Sequence, residues 1–83
     1  PDEKLNPVLT RLRRAHGHLA TVIRMLEEGA ECEDALTQLA AVDKALARSG
    51  YALVSTGLIH CISTEGPDSV DQAKMEKLFL SFA

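Results

Sequence analysis

Apolar residues recur along this chain at helical spacing and nowhere with the alternation of strands. Val8, Leu9, Leu12, Ala15, Leu19, Val22, Ile23 and Leu26 put one apolar stripe on a helix from about Asn6 to Glu28. Asn6 followed by Pro7 is a good N-cap and first-turn pair, and Gly29 stops the helix. A second helix starts near Glu31 or Cys32 and runs to about Thr64, with Leu36, Leu39, Ala40, Val42, Leu46, Leu53, Val54, Leu58 and Ile62 on its apolar face. At that length it needs partners along its whole extent. Gly50, within it, marks either a close contact or a kink. The turn Glu65-Gly66-Pro67 follows, then a third helix capped by Asp68 or Ser69, reaching about Ala83 and offering Val70, Ala73, Met75, Leu78, Phe79 and Phe82. The expectation is an all-α fold with three helices in a single domain spanning residues 1–83.

Composition sharpens this picture. A chain of 83 residues with 46% hydrophobic but only 4% aromatic content has a thin aliphatic core, and oligomerisation is the usual remedy. No apolar run approaches the ~20 residues that span a bilayer, and the start PDEKLN lacks the apolar stretch of a signal peptide. A cytoplasmic protein with no membrane role is expected, and there paired thiols serve metals or redox chemistry more often than structure. The net charge of −3 argues against nucleic acid when taken alone. Its distribution is uneven: Arg11, Arg13, Arg14 and Arg24 lie on the first helix, Lys44 and Arg48 on the second, and Glu27, Glu28, Glu31, Glu33 and Asp34 crowd the connection.

The most informative chemistry is a pair of cysteines, Cys32 and Cys61, on the long second helix. A continuous helix holds them roughly 43 Å apart, whereas a disulfide needs Cα atoms within about 6 Å. They cannot meet within one chain. Two copies packed antiparallel bring Cys32 of one beside Cys61 of the other, with the centre near Leu46 and Ala47, where Ala40, Ala41, Ala45, Ser49, Gly50 and Ala52 allow close approach. Against this stands the plain alternative that a free cysteine is a common buried residue, so that the chain is a helical interaction module with inert thiols. His60 points about 100° away from Cys61, and His16 and His18 face nearly opposite ways, so all three read as structural or solvent-facing. No motif of an enzyme is present.

The runs RLRRAHGHLATVIRMLEEG, then Cys32, then LTQLAAVDKAL with Arg48, then GLIHC, resemble the copper-sensing repressor (CsoR/RcnR) family over nearly the whole chain. The resemblance implies a DNA-binding repressor without enzymatic activity, built as a homodimer assembling to a homotetramer, with a sensor site between subunits. It makes Cys32 the first thiolate of that site and Cys61 the last, and it implies operator contacts from Arg11 and Arg48, extended by Arg13, Arg14 and Lys44. The copper-sensing members carry a histidine four residues before the last cysteine, where this chain has Gly57. That departure favours the branch responding to persulfides and related reactive sulfur species, with no cofactor required. Cu(I) held by Cys32 and Cys61 is the alternative, and a formaldehyde sensor using an N-terminal proline amine, here Pro1, ranks below it.

Overall fold

The computed structural model describes residues 3–66, 68 and 70–83, with the side chains of residues 58–63 outside the described set. The chain is three helices: α1 (Asn6–Glu27), α2 (Cys32–Glu65) and α3 (Gln72–Leu80). The described residues contain no strand.

The first helix begins differently from expectation. A 3₁₀ turn, Glu3–Leu5, runs directly into α1, so the N-cap position falls on Leu5 and Asn6 already lies inside the helix. No side chain caps this end. Pro7 still suits the first turn, where its missing N–H is needed by nothing. The C-terminus follows the sequence closely: Gly29 adopts φ 80°, its N–H donates to Leu26 O at 3.3 Å, and Ala30 N–H donates to Met25 O at 2.9 Å. This is the Schellman pair of bonds, and it needs a left-handed residue that glycine adopts without strain.

The tight turn folds α1 back along α2, and these two helices form the principal contact of the molecule. Its buried residues come at intervals of seven on both sides, Val8, Ala15 and Val22 on α1 and Ala35, Val42 and Ser49 on α2. A seven-residue period is the seam of a supercoiled helix pair. The Ser49 hydroxyl, buried in this seam, donates to Ala45 O at 2.9 Å and leaves no unsatisfied donor. Such a seam is narrow, and most leucines fall outside it: Leu19, Leu26, Leu36, Leu39, Leu46 and Leu53 are all exposed.

The third helix starts later than the sequence suggests. Its cap is Asp71, whose Oδ1 accepts the Lys74 N–H at 3.1 Å, instead of Asp68; Ser69 lies outside the described residues. It also stops at Leu80, and Phe82 and Ala83 close a turn back onto Phe79 and Leu80. Phe79 meets Tyr51 edge to face, with ring centroids 4.7 Å apart. The Phe82 ring lies over Gly50, leaving no room for a β-carbon there. Gly50 is therefore a contact within the chain, and α2 continues through it as one helix.

Gly50→Ala tests this contact. Glycine inside a helix costs roughly 0.5–1 kcal/mol relative to alanine, and Phe82, in the last turn of the chain, can swing aside for the new methyl. The thermal midpoint is expected to stay near wild type while carboxypeptidase removes the C-terminal residues faster. Unchanged or slower cleavage would show that the ring does not depend on Gly50.

Candidate nucleic-acid interface and thiol site

Arg11, Arg14 and His18 follow one another by three and four residues, so they share one face of α1. That face borders α2 at Ala45 and Arg48, and together with Ala15 these residues line an open groove of about 400 Å³. Small alanines on both helices floor the groove, and three guanidinium groups rim it. No carboxylate is among its lining residues. A strongly cationic, solvent-open depression of this kind suits phosphate oxygens.

The five basic residues expected to act together are all exposed, yet they do not form one group. Arg13 and Lys44 stand outside the groove that holds Arg11, Arg14 and Arg48. Helical phase explains Arg13, which is turned roughly 200° from Arg11. His18 is the residue the sequence reading missed. Its Nε2–H donates to Gln38 Oε1 at 2.7 Å, tying α1 to α2 beside the arginines. The signal was available in its three- and four-residue spacing from Arg14 and Arg11.

Cys32 is the first residue of α2, and its thiol is free and exposed. Within the single chain it is not part of the buried core. The thiol borders an apolar groove of about 210 Å³ lined by Val22, Leu26, Ala35, Leu36 and Leu39. Cys61 lies on the same helix, with its side chain, like that of His60, outside the described residues. Pro1 is outside them as well. Because α2 is uninterrupted from Cys32 to Glu65, the roughly 43 Å separation of the cysteines along it stands. Gly57 faces open space, with nothing within 4 Å of where a β-carbon would sit. Among the described residues, no three His, Cys, Asp or Glu side chains of one chain gather as a metal site. No helix among them is long and apolar enough to cross a membrane.

Comparison with known proteins gives the family. Residues 5–81 match the family model described as metal-sensitive transcriptional repressor. The chain is 38% identical over 76 residues to the copper-sensing transcriptional repressor CsoR of Mycobacterium ulcerans (strain Agy99), covering 92% of this chain and 65% of that protein. It is 37% identical over 75 residues to CsoR of Mycobacterium tuberculosis (strain ATCC 25618 / H37Rv), covering 90% and 63% respectively. The copper-sensing transcriptional repressor RicR of the same strain is 42% identical over 53 residues, 64% of this chain and 55% of its own length. The chain thus spans somewhat less than two thirds of the first two relatives. No solved structure matches it. The family is one of transcriptional repressors and not of enzymes. On the match across residues 5–81 and the relatives' identity over nine tenths of its length, the chain belongs to the metal-sensitive transcriptional repressor (CsoR/RcnR) family.

Proposed function

We propose that the protein represses transcription by holding operator DNA in the Arg11, Arg14 and Arg48 groove of a symmetric oligomer, and releases it when an inducer engages Cys32 of one subunit and Cys61 of another. The observation that carries this reading is the unbroken α2 helix. It keeps the two thiols apart within a chain while leaving Cys32 exposed at one end. The exposed leucines support the second chain: Leu39, Leu46 and Leu53 form a stripe centred on Leu46, within a residue of the midpoint between the cysteines. Antiparallel pairing about Leu46 covers that stripe and sets Cys32 against Cys61 of the partner subunit, twice per dimer. Two such dimers form the tetramer of the full assembly.

The copper-sensing repressors to which the chain is similar put Cu(I) first as inducer, ahead of the sulfur species that the sequence favours. Two thiolates supply a soft, linear donor pair for Cu(I). Gly57 supports a second reading, since it offers no imidazole to complete a trigonal site. In that reading the Cys32 thiolate attacks the outer sulfur of an organic persulfide, giving a Cys32 persulfide and releasing the thiolate RS⁻. The partner's Cys61 thiolate then attacks Cys32 Sγ, forming the interchain disulfide and expelling HS⁻. The dithiol loses two electrons, and the persulfide, reduced to RS⁻ and HS⁻, accepts them.

A duplex selected by the reduced protein from a random-sequence pool serves as operator. Anaerobic Cu(I) and glutathione persulfide are then compared for release of that duplex. Cys32→Ala is expected to abolish the response to whichever inducer acts, with DNA affinity unchanged. Gly57→His separates the two readings, because the space beside Gly57 is open. Supporting groups around a metal carry roughly 10–100-fold in affinity, so an added ligand should tighten Cu(I) binding by at least about tenfold and leave persulfide release unaltered. Inertness of the wild-type protein to Cu(I), with cross-linking by persulfide, would reverse the order of the readings. Response to formaldehyde that survives Cys61→Ala would displace both.

A further inference from the structure

We infer that His18 takes up a proton when DNA enters the arginine groove, so that operator affinity rises as pH falls. The inference rests on the DNA-binding reading above. His18 lines the same groove as Arg11 and Arg14 of α1 and Arg48 of α2. Neither α3 nor the 3₁₀ turn contributes to that lining, and Asp34, one helical turn before Gln38 on α2, is not part of it.

The Gln38 oxygen can only accept, so Nε2 keeps its hydrogen in both protonation states. Nδ1 is the atom that gains the proton, which comes from solvent. Arg11, Arg14 and Arg48 make the lining around the ring positive. A phosphate in the groove reverses the local sign and draws the proton on. The bond to Gln38 also becomes charge-assisted, which adds to the effect. Linkage makes this reciprocal: if DNA raises the proton affinity of His18, protons raise the affinity for DNA by the same factor. The extra affinity is therefore fullest at low pH and is lost as pH rises through the point where the complex releases the proton. Histidine is the side chain that makes this change near neutrality.

The test is fluorescence anisotropy of the selected duplex with reduced protein, at fixed ionic strength, between roughly pH 6 and pH 8. The wild-type dissociation constant is expected to rise by about tenfold across this range for each unit by which DNA shifts the proton equilibrium. His18→Gln, which retains a donor for Gln38 but cannot titrate, should flatten the curve. His16→Gln, altering an exposed histidine outside the groove, should leave it steep. A second measurement uses the wild-type protein alone, following the His18 ring protons by NMR with and without the duplex; their titration should move to higher pH when DNA is bound. Equal pH dependence of wild type and His18→Gln, or ring protons that titrate at the same pH in both states, would overturn the inference while leaving DNA binding intact. Failure of the wild-type protein to select or bind any duplex would instead remove the DNA reading itself.

Discussion

Arg48→Ala is expected to weaken operator binding by at least about a hundredfold, since a hydrogen bond to a charged group contributes roughly 1.5–3 kcal/mol and a dimer loses two. Among the described residues, Arg48 is the only basic one that α2 contributes to the groove, and it faces Arg11 and Arg14 across the helix seam. Its loss opens one wall of the phosphate site on every subunit. The salt dependence should fall in parallel, by about 0.9 in the log–log slope for each phosphate contact removed. Arg13→Ala gives the contrast: the side chain is exposed but outside the groove, so its removal should cost far less. Anisotropy titrations from low to physiological salt measure both quantities. Equal losses from Arg13 and Arg48 would mean that the groove is not the contact surface and that the whole basic face of α1 acts diffusely.

The second large effect is expected from Leu46→Glu. Leu46 stands at the centre of the exposed stripe on α2, and pairing about that point brings residue 46 of both subunits together on the two-fold axis. Two carboxylates there replace two apolar contacts with a like-charge pair, a change that costs several kcal/mol where water is excluded. Light scattering should then report a 9.0 kDa chain where the wild type gives a multiple of that mass. Helical content should fall as well, because α1, α3 and the 3₁₀ turn of one chain leave Leu39, Leu46 and Leu53 of α2 uncovered. DNA affinity should drop with it, since each monomer offers one groove. A Leu46→Glu protein with the mass of wild type would refute antiparallel pairing about this residue, and with it the meeting of Cys32 and Cys61.

The helices themselves were legible from apolar spacing, and Gly29 marked the turn between α1 and α2 because only a left-handed residue closes a Schellman cap. The caps of α1 and α3 were not. Asn6 has the right chemistry for an N-cap, but the 3₁₀ turn before it shifts the helix start by one residue. Asp71 outcompetes the earlier candidate Asp68 because its carboxylate reaches the Lys74 amide, which sequence spacing alone does not decide. At the site, the exposure of Cys32 is in keeping with its place at a helix start among acidic residues. The division of the basic residues into a groove and its surroundings did not, because it depends on how α1 and α2 rotate against each other. That rotation is set by the seven-residue seam of Val8, Ala15, Val22, Ala35, Val42 and Ser49, half of whose members are too small to stand out as core in a sequence.

The unbroken α2 helix gives the proposed switch the proportions of a pair of crossed levers. The pivot lies at Leu46, with Cys32 about 21 Å out along one arm and Arg48 only about 3 Å from the crossing point. A movement at the thiols therefore reaches Arg48 reduced roughly sevenfold as translation, whereas the change in angle between the two rods is undiminished. Inducers that pull the arm ends together or push them apart act on the DNA face chiefly by turning it. Two rigid half-grooves that must track one duplex tolerate such a turn poorly, and a bridge at the far ends of the levers needs only modest reach to break their alignment.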